Sequence, residues 1–243
     1  MLDQETLFRS IKSHQTLVKK AIETNGFERY NVINADQSGF NYEIVSNRTL
    51  SIKGEMCTLA ALSSPSNKMI HSHTVQYTIN ASGEIVGNVF ICLQESGGRF
   101  GPLVEKAFFK PVNVVLTCSI SGKLSSSHYR YYLENVLKKV VKGSFLLLID
   151  SWNGQKDIQM HNEVFGVKNV DEEDDEPDES QSSMCKVCII PPGTTSICQP
   201  CDVYFYRQVK LLTRKATHGL RVIMMSLFAI ISFKHTHWSI IKW

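Results

Sequence analysis

The sequence predicts an α/β fold in which a mixed sheet is flanked by helices, and three patterns support this prediction. Segments with alternating apolar and polar residues, separated by turn residues, occupy the first half and are typical of antiparallel strands. A segment with apolar residues at helical spacing follows. A continuous apolar run then indicates a strand that is buried on both faces. Hairpins followed by strand, helix, strand, loop and helix fit a mixed sheet with helices packed on it.

The N-terminal half supplies a first helix and the hairpin strands. Residues 1–29 are mostly polar and helix-prone, and we assign them to a helical lead-in. Residues 30–36 form a short β-branched strand, which we expect to stop in a turn over residues 36–39. Further strands are predicted within residues 40–54 and on both sides of the turn NASG at 80–83. The first strand is therefore expected to end at an acidic residue, Asp36.

The middle of the chain supplies two strands around one helix. Residues 112–119 are predicted to form a strand, and a serine at 125–127 can cap the helix that follows. The apolar residues of that helix recur at i, i+3, i+4 and i+7 and are Tyr129, Tyr132, Leu133, Val136, Leu137, Val140 and Val141. The continuous apolar run at 144–149 stops at Asp150, so a second acidic residue is expected at a strand end.

The last third begins with a polar stretch. Residues 154–186 are acidic and serine-rich without an apolar period, and we interpret them as a disordered insertion. A brief strand at 188–190 follows, and Asp202 directly precedes a predicted helix. In the tail, 218–243, the apolar run at 222–233 is shorter than the roughly twenty residues that a membrane span needs. We therefore expect a buried helix there and no membrane partner.

Charge and cysteine content limit the class of protein. The net charge is +3, but the segment 171–179 holds eight of the 23 acidic residues and no basic residue. The rest of the chain is therefore strongly basic, which fits a polyanionic partner and, on charge alone, fits an ordinary solvated basic surface equally well. Seven cysteines form an odd set, and the polar start of the chain is unlike a secretory signal. We expect a reducing compartment, the cytosol or nucleus, and favour the nucleus.

Three acidic residues at the ends of core elements suit a two-metal phosphodiester site, because Mg²⁺ and Mn²⁺ prefer carboxylate oxygens. The candidates are Asp36, Asp150 and Asp202. Each also has a simple structural interpretation. The first could start a type I turn, the second could start a loop, and the third could cap a helix.

Five segments of the chain carry a resemblance to a known family. They are NADQSGF (34–40), RTLSIKG (48–54), FICLQESGGRFGP (90–102), LLLIDSWNGQ (146–155) and IPPGTTSICQPCDVYFYRQVK (190–210). In this order they resemble the endonuclease domain of the DDE superfamily, in particular its pogo, Tigger and mariner-type transposases. The resemblance defines a domain at 30–217, and its last segment is the most specific.

The resemblance implies a ribonuclease-H-like fold and an activity. Asp36, Asp150 and Asp202 match the three acidic residues of the family, which would hold two Mg²⁺ or Mn²⁺ ions. The implied activity is that of a metal-dependent DNA endonuclease and strand transferase. One ion would activate water or a 3′-hydroxyl, and the other would stabilise the leaving oxygen. DNA is the implied partner, and a homodimer is left open.

Two departures from the family keep an alternative open. Asp150 and Asp202 stand 52 positions apart, which is longer than usual, and no helix-turn-helix region precedes residue 30. The chain thus resembles a catalytic fragment or a degenerate copy. The alternative function is that of a domesticated or decayed transposon-derived protein, which binds DNA or partners without catalysis.

Four cysteines form a competing pattern. The pairs Cys185/Cys188 and Cys198/Cys201 have the spacing of a structural Zn²⁺ site, which would make the chain a zinc-stabilised interaction module. Neither pair carries the tight-turn glycine of a zinc knuckle, and buried thiols also replace apolar residues readily. The weaker candidates are histidines without metal-ligand spacing and basic residues of the last predicted helix: His71, His73, His128, His161, Arg207, Lys210, Arg214 and Lys215.

Overall fold

A six-stranded mixed sheet organises the part of the protein that the computed structural model describes. That part comprises residues 3–41, 72–109, 111–166 and 185–219, with side chains of the last range as far as residue 213. In chain order the strands are β1 (Val32–Asn41), β2 (Ser72–Asn80), β3 (Val89–Gln94), β4 (Val114–Ser119), β5 (Phe145–Ile149) and β6 (Cys185–Ile189). Their order across the sheet is β4-β3-β2-β1-β5-β6.

The helices connect these strands and cover both faces of the sheet. They are α1 (Gln4–Asn25), α2 (Pro102–Ala107), α3 (Ser126–Tyr132), α4 (Ile158–Phe165), α5 (Thr195–Cys198) and α6 (Tyr206–Gly219). A π-helical segment, Leu133–Leu137, continues α3, and another, Cys201–Phe205, leads into α6. Helix α1 begins where the Asp3 carboxylate accepts a hydrogen bond from the Thr6 amide at 2.7 Å.

Strand β1 lies inside the sheet and has a different kind of neighbour on each side. It pairs antiparallel with β2 along most of its length, from Ile33 opposite Asn80 to Asn41 opposite Ser72. On its other side it pairs in parallel with β5 over its first three residues alone. Strand β3 is antiparallel to β2. Strand β4 is parallel to β3, and β6 is parallel to β5. The predicted α/β mixed sheet is therefore confirmed.

The two faces of the sheet pack against different helices. On the first face, α3 and α4 cover a core that includes Ile33 and Leu147. On the second face, α1 packs against Leu146 and Leu148 of β5, and α6 packs against β2 and β3. Since side chains alternate along a strand, the even-numbered residues of β1 and β5 lie on the second face.

The turn predicted at residues 36–39 is wrong. These residues are part of β1, which continues to Asn41. The reason is that β2 pairs with this stretch throughout and satisfies its backbone, so that turn-forming residue types are accommodated inside a strand. The strand also begins later than predicted, because Arg29–Asn31 forms a 3₁₀ turn.

The disordered insertion predicted at 154–186 is wrong for residues 185 and 186, which belong to β6, and for its first part. Helix α4 lies there, with His161, Val164 and Phe165 buried against the first face. These three residues have helical spacing, but only two of them are apolar. The sequence therefore shows no apolar period from which the helix could be predicted. The Asp157 carboxylate caps the helix by accepting from the Gln159 amide at 3.0 Å. Residues 167–184 lie outside the described residues.

The helix predicted after residue 125 is confirmed. Ser125 caps α3, and its hydroxyl and backbone interact with His128 in a capping box. The helical segment ends at Leu137, so Val140 and Val141 follow in a turn instead of extending it. The preceding strand starts at Val114, later than predicted, because the Val114 amide closes a turn on the carbonyl of Pro111 at 3.2 Å.

Two further sequence predictions lie outside the described residues: the strand over 42–54 and the buried helix over 222–233. Within the described ranges, no helix has the length and apolar character needed to cross a membrane.

Leu147 offers a test of the sheet core. It is fully buried on β5, between β1 and β6. Leu147→Ala is expected to lower the free energy of unfolding by about 2–5 kcal/mol, because it leaves a cavity in a packed interior. Urea titration measures this change. The control Leu103→Ala, at a side chain that is 82% exposed, should change it by about 0.5 kcal/mol or less. Equal effects of the two substitutions would contradict the assigned core.

Candidate active site

Asp36 occupies an interior position of the sheet. It is the fifth residue of β1, not the last as predicted, and it is 3% exposed. It lies on the second face, opposite Tyr77 of β2. Strand β1 can continue past Asp36 because β2 accompanies it, whereas β5 stops beside it. An ionisable group is thereby buried at the point where the parallel half of the sheet ends.

Asp150 follows the last residue of β5, as predicted. The parallel register pairs Asn34 with Leu148, and continuing it by two residues brings Asp150 beside Asp36. Asp36 lies on the second face, and Asp150 begins the loop after β5. One carboxylate oxygen of Asp150 accepts from the Trp152 amide at 3.1 Å and from the side-chain amide of Gln155.

Asp202 lies in the segment that leads into α6, far from Asp36 and Asp150 in sequence. It is the second residue of the π-helical segment that leads into α6, and its side chain is exposed. The Tyr206 hydroxyl, one turn further along, donates to the backbone carbonyl of Asp36 at 2.5 Å. This bond ties the start of α6 to β1. The expected helix after Asp202 is present, although its first turn is π-helical.

The charges of the three carboxylates interact. Burial raises the pKa of Asp36 to about 8, and the charges of Asp202 and, to a lesser extent, Asp150 contribute to the rise. Loss of hydration also raises the pKa of Asp202, the charge of Asp150 acts in the same direction, and Lys210 opposes them. Three acidic residues that are distant in sequence thus influence one another at one end of β5.

Two buried polar atoms beside this cluster have no hydrogen-bond partner among the described residues, namely Asp36 Oδ2 and Gln199 Nε2. An unpartnered carboxylate oxygen that is buried near two other carboxylates calls for a cation. The donor atoms are hard oxygens, which suit Mg²⁺ or Mn²⁺. However, no group of three or more His, Cys, Asp or Glu side chains in the described ranges has a metal-holding arrangement. Repulsion among uncompensated carboxylates is expected to keep them apart.

Several polar residues around the acids were not identified from the sequence. Asn34, Gln199 and Gln155 are all buried, and each bonds to a segment that carries an acidic residue. Asn34 could have been noticed, because it is a polar residue inside a predicted core strand, two residues before Asp36. Gln155 and Gln199 lie within segments that resemble the family, but no local pattern predicts that their side chains are buried.

The four-cysteine zinc site is wrong. Cys185 packs against the first face of the sheet, whereas Cys188 belongs to the core of the second face, next to α1. Cys201 is buried under α6, separate from both. Burial raises the pKa of Cys185 to about 12 and that of Cys188 to about 11, which opposes the thiolate form that zinc binds. The thiols occupy ordinary core positions.

The remaining candidates divide into structural and surface groups. His128 caps α3, and the buried His161 ring bonds to the Tyr129 hydroxyl at 3.1 Å. His73 is buried and stacks on Phe40. Lys210 lies over the rings of Phe40 and Tyr206, near the acidic cluster. Arg207 is exposed on α6, while His71 and the side chains of Arg214 and Lys215 lie outside the described residues.

Comparison with known proteins gives matches at the level of structure. No family model matches the chain. No curated protein matches it either. Among solved structures, the Mos1 transposase paired-end complex with the left transposon end matches 97% of the chain, with a TM-score of 0.53 and 9% identity. The Mos1 strand transfer complex has a TM-score of 0.54 with 9% identity over 97% of the chain. The Mos1 mariner paired-end complex with Mn has a TM-score of 0.54 with 8% identity over the same share.

These matches concern the fold. The chain spans just over half the length of the matched Mos1 chains, 56% or 57%. Six strands in a mixed sheet with helices on both faces agree with the fold of the matched Mos1 structures, and the predicted ribonuclease-H-like fold class is confirmed. The roles of individual residues are a separate question, because identity at this level does not carry them over.

Proposed function

We propose that this chain is a transposase-type DNA endonuclease and strand transferase that depends on Mg²⁺ or Mn²⁺. Asp36, Asp150 and Asp202 are the proposed ligands of two ions. The observation that carries the proposal is the buried, unpartnered carboxylate oxygen of Asp36, on a strand beside β5, which ends directly before Asp150, and tied by the Tyr206 hydroxyl to the segment that carries Asp202. A cluster of acidic residues with a buried member destabilises a fold. Ionisable groups with strongly shifted pKa values are concentrated at functional sites.

The three residues have different places in this proposed site. Asp36 is buried and held by the sheet, so it suits a fixed anchor for the metal. Asp150 stands where β5 ends, and Asp202 is exposed toward solvent, where a DNA strand can approach. When bound, the ions would activate the attacking water or 3′-hydroxyl and stabilise the leaving oxygen. The protein's own part is to hold the carboxylates at fixed positions on a rigid sheet.

The structural matches support DNA as the substrate. The matched Mos1 structures are a complex with a transposon end, a strand transfer complex and a complex with Mn. This chain shares their fold and has acidic residues near the end of β5. We therefore propose DNA as its substrate.

We also propose that the protein is located in the nucleus, which microscopy of a tagged protein would test. A homodimer is left open, and light scattering would test it.

A plasmid assay tests the proposed activity. Supercoiled DNA is incubated with the protein in Mn²⁺, in Mg²⁺ or in EDTA, and nicked circles are expected with either metal and not in EDTA. Nicking that persists in EDTA would contradict a metal-dependent site. Intact plasmid under all three conditions would contradict catalysis.

A second candidate function is DNA binding without catalysis. It is favoured by the contacts of Asp150, because the Gln155 amide and the Trp152 amide both donate to its Oδ1 atom and would compete with a metal for that oxygen. In this case the chain is a domesticated or decayed transposon-derived protein. It would shift DNA in a binding assay and leave the plasmid supercoiled in Mn²⁺.

Lys210 gives a prediction about DNA binding that both functions share. Its ammonium group lies near the acidic cluster, over the rings of Phe40 and Tyr206. Lys210→Ala is expected to weaken binding for all sequences alike and to reduce the salt slope of log K by about one, since one phosphate contact is lost. Fluorescence anisotropy at several salt concentrations measures the slope. Lys139→Ala, beyond α3 on the other face, is the matched control, and an equal loss there would refute a specific contact.

A further inference from the structure

We infer that the buried side chains of Asn34 and Gln199, here called the carboxamide clamp, form the positioning element that sets the spacing of the three carboxylates. The inference deepens the proposed function and rests on it for the metal-dependent part of its test. Neither residue is proposed to bind metal or DNA. The clamp is proposed to act through the backbone of the segments that carry the acids.

The hydrogen bonds of Asn34 join all three segments. Its Nδ2 group donates to the backbone carbonyl of Leu148 at 2.9 Å and to the side-chain oxygen of Gln199 at 3.0 Å. Its Oδ1 atom accepts from the backbone amide of Cys201 at 3.1 Å. Leu148 lies two residues before Asp150, and Cys201 lies one residue before Asp202.

The position of Asn34 on β1 completes this arrangement. It lies two residues before Asp36 on the same face of the strand. A single carboxamide is thus bonded next to two of the acidic residues and is covalently close to the third. The contacts bridge sequence separations of 114, 165 and 167 residues, so no local structure imposes them.

Burial makes the clamp rigid and its loss costly. Asn34 is 2% exposed and Gln199 is not exposed at all. A buried polar group that loses its hydrogen-bond partner lowers the stability of the folded state. The hydrogen bonds of the clamp therefore favour one arrangement of the three segments. The clamp leaves the carboxylate oxygens themselves available, because the hydrogen bonds of Asn34 go to backbone atoms and to the side chain of Gln199.

Gln199 connects the clamp a second time to the segment that carries Asp202. Its side-chain oxygen accepts from Asn34 Nδ2 at 3.0 Å. Its backbone carbonyl accepts from the amides of Asp202 and Val203 at 3.1 and 3.0 Å. The clamp therefore holds this segment both through Cys201 and through Gln199.

The test compares three variants of the full chain with the wild type. Asn34→Leu keeps the size and removes all three bonds of Asn34. Gln199→Met removes the second amide and leaves Asn34 bonded to Leu148 and Cys201. Thr78→Val is the matched control, because it breaks a buried hydrogen bond to the Tyr132 hydroxyl on the first face, away from the acids. Each protein is measured for thermal unfolding, for amide exchange over residues 199–203, and for the Mn²⁺ concentration that gives half-maximal nicking.

The expected pattern separates positioning from general stability. Asn34→Leu should speed exchange of the Cys201 and Asp202 amides by about tenfold or more, while Thr78→Val leaves them within about twofold. The Mn²⁺ requirement should rise by about tenfold to 100-fold in Asn34→Leu and by a smaller factor in Gln199→Met, as for groups that orient metal ligands. The control should not change it, even at a similar loss of melting temperature.

Other outcomes decide against one claim at a time. If both clamp variants match Thr78→Val in exchange and in Mn²⁺ requirement, the clamp is merely structural and the inference is overturned. If the wild type does not nick DNA, the proposed function fails, whereas the exchange data still decide whether the clamp fixes the segment before Asp202. If Asn34→Leu does not fold, Gln199→Met supplies the comparison, and normal exchange and Mn²⁺ response there overturn the inference.

Discussion

Replacement of Asp150 by Asn is expected to lower the rate of metal-dependent DNA nicking by about 1,000-fold or more. A metal ion in such a site contributes several kcal/mol to transition-state stabilisation, and each 1.36 kcal/mol corresponds to about tenfold in rate. The substitution removes the charge that binds the ion. It keeps the size of the side chain and an oxygen that can still accept from the Trp152 amide, so the loop after β5 should retain its structure.

The measurement is the initial rate of plasmid nicking in Mn²⁺, with circular dichroism to confirm folding. Asp157→Asn is the matched control, since Asp157 is an exposed acid that caps α4, and asparagine caps helices equally well. Its nicking rate should equal that of the wild type. Undiminished nicking by Asp150→Asn would remove Asp150 from the metal site, and an equal loss in both variants would indicate a non-specific effect of charge.

Replacement of Asp36 by Asn is expected to stabilise the metal-free protein while abolishing its activity. Burial and the neighbouring charges raise the pKa of Asp36 from 3.8 to about 8 in the folded protein. Well below pH 3.8 the carboxyl is neutral in both the folded and the unfolded chain, so it carries no penalty. As the pH rises toward 8 the unfolded chain loses the proton first, and the folded state is progressively destabilised. At pH 7 this amounts to about 4 kcal/mol.

Urea titrations between pH 4 and pH 8 measure this difference. The stability advantage of Asp36→Asn over the wild type should be small at pH 4 and should grow up to pH 8. Addition of Mn²⁺ should reduce it, because bound metal stabilises the ionised carboxylate of the wild type alone. A constant difference across this range, or a variant less stable than the wild type at pH 7, would show that Asp36 is not held in the proposed environment.

Much of the architecture follows from local patterns in the sequence. The apolar run that becomes β5, the helical period that becomes α3, and the start of a helix after Asp202 are all present where the residues indicate them. These elements bury residues that are close in sequence and regular in spacing, so the pattern itself carries the information. Strand β5 and its position directly before Asp150 are the clearest case.

The site could be predicted only in part, because its structure depends on distant contacts. Turn-forming residue types around Asp36 are held in a strand by pairing with β2, which no local rule anticipates. Asn34 and Gln199 look like ordinary polar residues until their partners are known, and these lie more than 100 positions away. Cys185 and Cys188 have zinc-like spacing, but a strand directs them to opposite faces.

The late insertion of β5 next to β1 has a consequence for synthesis of the protein. Until residues 145–149 leave the ribosome, β1 is an edge strand of an antiparallel sheet with β2 and β3. An unpaired edge invites association with other nascent chains, and inward-pointing polar or charged residues discourage it. Asn34 and Asp36 occupy such positions on β1. We therefore expect the same two residues, which the finished site buries, to discourage association of nascent chains until the parallel half of the sheet is added.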